Sequence, residues 1–219
     1  MPQTTFLQRW INIELLLSIA LLLYFLGYNR DTCSDFIVCS SLSLLLLLFG
    51  NRLQLSTPIV APFGTADWIL TSIAVLAFTG AWFYGYYHNK INPNSALTAI
   101  CITGIYFYYA WIQHFLAQRY LALRMQRFCR EKSAPDIGAK QLNLRAACCT
   151  GLVFGLLHII YPHLILVSTI GGMLFAYYYL TTGRLWMVVV GHSLIASANL
   201  FWVLDDNPFT EIVTLPFGY

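Results

Sequence analysis

Apolar residues in this chain come in long unbroken runs, not in the alternation that a strand shows or the one-sided stripe of a surface helix. A bilayer core takes about 20 apolar residues in helical form, with a usable range of about 17–25. Seven stretches reach or approach that length: 10–27, 36–50, 68–87, 96–118, 142–161, 164–181 and 185–204. The second is short and borrows from its flanks. The first has only Arg9 ahead of it, a long apolar run and no small-residue cleavage site, which predicts a span and not a cleavable signal peptide. Transmembrane β-barrels alternate apolar and polar positions, so the pattern predicts an all-α, polytopic transmembrane bundle. Residues 1–219 read as a single integral membrane domain, with no internal repeat.

Composition agrees. Only 10% of the 219 residues are charged and 58% are hydrophobic, whereas soluble domains carry about 25% charged residues. So few charges cannot cover a water-facing surface, which excludes a soluble globular domain and a disordered chain. The placement of the charges sets an expected orientation. With the N-terminus inside, Arg9, Arg52, Arg184 and the connection bearing Arg119, Arg124, Arg127, Arg130, Lys132, Lys140 and Arg145 all lie inside, leaving Arg30 and Lys90 outside. Such asymmetry predicts an N-in, C-out topology. The stretch 120–130 mixes apolar and basic residues as an interfacial helix does, and by itself reads as an anionic-lipid anchor. No basic run interleaved with aromatics lies outside the apolar stretches, so nucleic acid is not an expected partner.

Several polar residues stand where lipid should be. Insertion scales put a charge at a helix centre at about 2.5–3.5 kcal/mol, so such side chains face the bundle interior. The set comprises Gln113, His114 and Gln118 in the fourth span, His158 in the fifth, and His192 and Asn199 in the seventh, with Glu14 near the entry of the first. Imidazoles on separate helices can act as bases, orienting donors or metal ligands. Helix depth argues against an easy meeting: at 1.5 Å per residue, His192 lies roughly 10 Å into its span and His158 roughly 24 Å. The remaining features read as structural. Gly151 and Gly155 form a close-packing G-x-x-x-G, and the tyrosines at 106–109 and 177–179, with Trp10, Trp68 and Trp186, read as interfacial aromatics. The six scattered cysteines read as packing residues, neither a disulfide framework nor a zinc site.

Two motifs carry a resemblance. Phe154-Gly-Leu-Leu-His158 is similar to the F-x-x-x-H motif of the CPBP family (CAAX-prenyl endopeptidases and bacteriocin-processing, Abi-like proteins). Leu180 to His192, in which Gly183-Arg184 leads into a helix with a second histidine, resembles the family's next segment. The likeness is strongest over 111–201. It implies a divergent intramembrane endopeptidase that hydrolyses a peptide bond of a membrane-associated protein or prenylated peptide, in a bacterial plasma membrane. His158 and His192 match the family's histidines and would bind water or a divalent metal such as zinc, with Phe154 as the supporting aromatic. The family's E-E-x-x-x-R motif is absent. Gln113-His114 occupies the glutamate positions, and Gln118 or Arg119 that of the arginine; Ala196 stands where the asparagine belongs, with Asn199 one turn farther on. His114, Gln113 and Asn199 complete the expected catalytic set. Losing the glutamates leaves open a catalytically inactive relative that acts as a binding or immunity scaffold, and the histidines alone would also suit a proton-handling transporter.

Overall fold

In the computed structural model, the described residues are 59–88, 95–134, 136–159 and 162–204. The first two predicted spans, with Glu14, and the acidic tail lie outside them. Among the described residues every regular element is a helix. They are α1 (Thr65–Tyr87), α2 (Ser95–His114), α3 (Leu123–Glu131), α4 (Ala139–Leu156), α5 (Pro162–Thr182) and α6 (Leu185–Ala198). Two π-helical segments, Phe115–Ala122 and Asn199–Leu204, extend α2 into α3 and continue α6. Two helices, Thr65–Tyr87 and Leu164–Thr182, are long and apolar enough to cross a membrane, and Leu185–Ala198 is a shorter apolar helix.

The predicted span at 96–118 and the interfacial helix after it prove to be one continuous rod. Phe115, Leu116, Ala117, Gln118, Tyr120, Leu121 and Ala122 are all buried, so the first turns of the expected surface helix belong to the interior. Only from Arg127 onward does the rod turn a basic face outward. The reason is lateral packing: this stretch lies against α4 and α5, and its apolar side chains are covered by helix, leaving none for lipid.

Small residues set the helix spacings. Ala74, Ala81 and Gly85 are buried along one side of α1. There Ala81 meets Ala198 and Trp202, and Leu70 lies against Gly191 of α6. A Cβ on Gly151 would fall 2.6 Å from both the Met173 amide nitrogen and the Thr169 carbonyl, so α4 and α5 touch backbone to backbone there. The G-x-x-x-G pair therefore serves packing inside the bundle. Gly183 (φ 73°) supplies the left-handed residue that closes α5, its N–H donating to the Tyr179 carbonyl.

The aromatic clusters need correction. Tyr106, Tyr109, Tyr178 and Tyr179 are buried, and the Tyr106 and Tyr178 hydroxyls meet His192 and Asp67 of neighbouring helices. Trp68 and Trp186 do face outward.

Candidate functional site

Helices α2 and α6 pack side by side and bring two imidazoles into direct contact. His114 Nε2 and His192 Nδ1 are 2.5 Å apart, with ring centroids 4.6 Å apart. Gln118, one turn beyond His114, donates its amide N–H to His114 Nδ1 (3.3 Å). An imidazole nitrogen that accepts carries no proton, so neutral His114 holds its proton on Nε2 and donates to His192. His192 is then protonated on Nε2 and points it at the Tyr106 hydroxyl, 3.5 Å away. The result is a directed chain, Gln118 to His114 to His192 to Tyr106. His114 and Gln118 are fully enclosed, while His192 is half-buried and opens one side of the cluster.

Aromatic rings wall the cluster. Phe175 meets His114 edge-on at 5.1 Å and stacks near His192 at 5.8 Å. Phe154 contacts both His114 (6.0 Å) and His158 (5.0 Å). His158, in the turn just after α4, donates from Nδ1 to the Phe154 carbonyl (2.8 Å), which leaves the basic lone pair on Nε2. Helix α4 starts at Ala139, three residues before the expected boundary at 142, and ends before His158.

Two buried acceptors lack a donor: Gln113 Oε1 and Gln118 Oε1. Among the described residues neither accepts a hydrogen bond from the protein. No carboxylate bonds to His114 or His192 among the described residues.

His114 and His192 do not sit as two ligands of one zinc ion. Two imidazoles on one tetrahedral zinc, each at about 2.0–2.1 Å, would hold their nitrogens about 3.3 Å apart, so the 2.5 Å contact is a hydrogen bond and not a shared ion. His192 spends both ring nitrogens on protein partners. No group of three or more His, Cys, Asp or Glu has metal-holding spacing among the described residues.

Asn199 donates one N–H of its side-chain amide to the Ile195 carbonyl of its own helix (2.6 Å) at the start of the π segment. Arg119 places its guanidinium over the Phe115 ring at 5.2 Å, and Gln118 occupies the face above His114.

Sequence reasoning missed two features. Tyr106 joins the chain through its hydroxyl, and a buried ion pair braces the floor of the bundle. Asp67 accepts from Arg184 Nη1 (2.6 Å), the Gly64 N–H (2.7 Å) and the Tyr178 hydroxyl (2.5 Å). Arg184 also donates to the Ala61 carbonyl and lies over the Phe63 ring. Donation to the Asp67 carboxylate holds the Arg184 guanidinium above its ordinary pKa. Arg184 is the residue that caps α6, so this pair fixes the entry of the helix carrying His192. The acidic residue three positions after Gly64 was the available signal, as half of a capping box.

A family model described as type II CAAX prenyl endopeptidase, Rce1-like, matches residues 115–198. No curated protein and no solved structure matches the chain.

Proposed function

From membership of the CPBP/CAAX protease family, which the match over 115–198 supports, we propose that this chain is a divergent CAAX-type intramembrane endopeptidase working through imidazole in place of the paired glutamates. Family membership implies a membrane-embedded protein whose substrate is membrane-associated or prenylated. The finer reading is a seven-span, N-in bundle of a bacterial plasma membrane that cuts near the cytoplasmic leaflet.

The observation that supports it most is the tautomer fixed at His158. With Nδ1 committed to the Phe154 carbonyl, Nε2 is the nitrogen that can take a proton. In the proposed reaction, His158 Nε2 removes a proton from water as its oxygen attacks the scissile carbonyl. The oxyanion draws on the polarised His192–Tyr106 end of the chain. His158 then returns the proton to the leaving amine as the C–N bond breaks, giving a carboxylic acid and an amine. Gln113 and Gln118, enclosed beside the imidazoles, hold His114 in place: Gln118 donates to its Nδ1.

A positioned general base contributes typically 10²–10⁴-fold, on the order of a hundredfold or more. Purified protein in liposomes, given a farnesylated CAAX peptide and a membrane-anchored peptide, is therefore expected to lose about that much turnover in both His158→Ala and His192→Ala. Unchanged turnover in His158→Ala overturns the assigned base. The second reading, a non-catalytic binding scaffold, rests on the Gln113-His114 pair standing where two glutamates belong. It is supported if the wild type binds the prenylated peptide and cleaves neither substrate.

A further inference from the structure

All eight Lys and Arg residues among the described residues fall in Arg119, Arg124, Arg127, Arg130, Lys132, Lys140, Arg145 and Arg184. The packing gathers them toward one end of the bundle. The Asn143 side-chain amide, near the start of α4, donates to the Leu180 carbonyl near the end of α5, and Gln126 of α3 donates to Asn143. The α3–α4 connection and the α5–α6 turn therefore share that end. Helices α1 and α5, the two long apolar ones, contribute no Lys or Arg of their own.

At that end the charges divide by burial. Arg184 is spent on Asp67 in the interior, and Arg145 donates to the Ser133 hydroxyl. Arg127, Arg130, Lys132 and Lys140 are exposed around the α3–α4 turn, against Glu131 and Asp136 as the acidic residues of the same stretch. Helix α3 turns Leu123 and Cys129 inward. Two apolar side chains stand out among the exposed cations: Phe128 on α3 (55% exposed) and Leu144 on α4 (55% exposed). A cationic rim with apolar side chains between the charges is complementary to a surface of anionic headgroups over acyl chains.

We propose that the α3–α4 turn is a binding platform for anionic phospholipid headgroups, held by Arg127, Arg130, Lys132 and Lys140, with Phe128 and Leu144 entering the acyl boundary. An acidic peptide would satisfy the cations but would leave the two apolar side chains in water, so the mixed surface favours lipid. The platform lies on the same continuous rod as His114 and Gln118 and is independent of whether the imidazole cluster is catalytic.

The test uses the full chain in neutral-detergent micelles supplemented with phosphatidylglycerol or phosphatidylcholine, with bound lipid counted by native mass spectrometry and unfolding followed by heat. Phosphatidylglycerol is expected to bind and raise the unfolding midpoint, and phosphatidylcholine to do neither. Each basic residue near an anionic surface is worth about fivefold in affinity. Replacing all four by Gln in one variant (Arg127→Gln, Arg130→Gln, Lys132→Gln and Lys140→Gln) is therefore expected to weaken phosphatidylglycerol binding by more than about a hundredfold. These side chains are exposed, and unchanged helicity and midpoint in plain detergent confirm that the variant is folded. Phe128→Ser with Leu144→Ser separates lipid from a soluble anion, since it should weaken phosphatidylglycerol binding and leave binding of a poly-glutamate peptide unchanged. Equal binding of the two lipids overturns the proposal. So does full retention of phosphatidylglycerol by the four-Gln variant, or a poly-glutamate affinity equal to that for lipid.

Discussion

Replacing Gly151 by alanine tests the account of how α4 and α5 are held together. The new methyl would sit 2.6 Å from the Met173 amide nitrogen, 2.6 Å from the Thr169 carbonyl oxygen and 2.3 Å from Met173 Cγ. Ordinary carbon contacts lie at about 3.5–4.0 Å, so the methyl is roughly 1 Å too close. Met173 Cγ can swing aside, but the two backbone atoms cannot move without separating the helices. Overpacking costs typically 1–3 kcal/mol, and a backbone clash belongs at the upper end, about 3 kcal/mol. Alanine returns about 1 kcal/mol of helix propensity, for a net loss of about 2 kcal/mol. For a chain of this size that lowers the unfolding midpoint by about 4–8 °C. Gly171, on α5, has nothing within 4 Å of its would-be Cβ, so Gly171→Ala should keep the propensity gain and raise the midpoint by about 2–4 °C. Tryptophan-fluorescence melting in detergent reads both, since the chain has six tryptophans. Adding Met173→Ala to Gly151→Ala should not restore stability, because the clashing amide and carbonyl remain. Midpoints that move together in the two alanine variants, or full rescue by Met173→Ala, would show that backbone contact does not set this interface.

Other expectations follow from the same geometry. Asp67→Ala strands the Arg184 guanidinium in the interior, whereas Asp67→Asn keeps an acceptor for it, so melting should show the alanine variant clearly less stable; equal midpoints would remove the ion pair from the account. The Arg184 pKa is raised, so its contribution is complete below the ordinary arginine value and fades only as pH climbs past the higher folded value. The midpoint difference between Asp67→Ala and wild type should therefore carry no Arg184 titration through neutral pH. Burial and the neighbouring Cys149 push the Cys129 thiol up, leaving less thiolate, so alkylation mapped by mass spectrometry should be slower at Cys129 than for free cysteine at pH 8; parity would contradict its buried placement. Asn199 donates one side-chain N–H to the Ile195 carbonyl, so Asn199→Ala should change any peptide cleavage by no more than about tenfold, on the order of 1 kcal/mol for a single hydrogen bond; a loss as deep as that of His192→Ala would place Asn199 in the site.

Legibility from sequence followed locality. His114, Gln118, His158 and His192 could be singled out because a polar side chain inside an apolar run needs no partner to be conspicuous. Tyr106 could not, since a tyrosine near a span end reads equally well as interfacial, and only the α2–α6 contact shows its hydroxyl facing His192. Asp67 escaped for a similar reason. Its partner is 117 positions away, and nothing local to either residue announces the other. The continuous α2–α3 rod was read as two elements because the basic residues begin before burial ends, and hydropathy averages over both faces of a helix.

The widened winding at Phe115–Ala122 has one more consequence, for how this scaffold tolerates length changes. A single residue removed from an ordinary helix rotates everything after it by about 100°. Here the slack is already built in, because a π turn holds one residue more than the α turn it replaces. Loss of one residue within this stretch lets the wider coil relax to the tighter one. His114 above and Leu123 below would then each keep the face they present. Among the described rods, α2–α3 is thus a place where the chain can lose a residue beside the imidazoles without unseating either half.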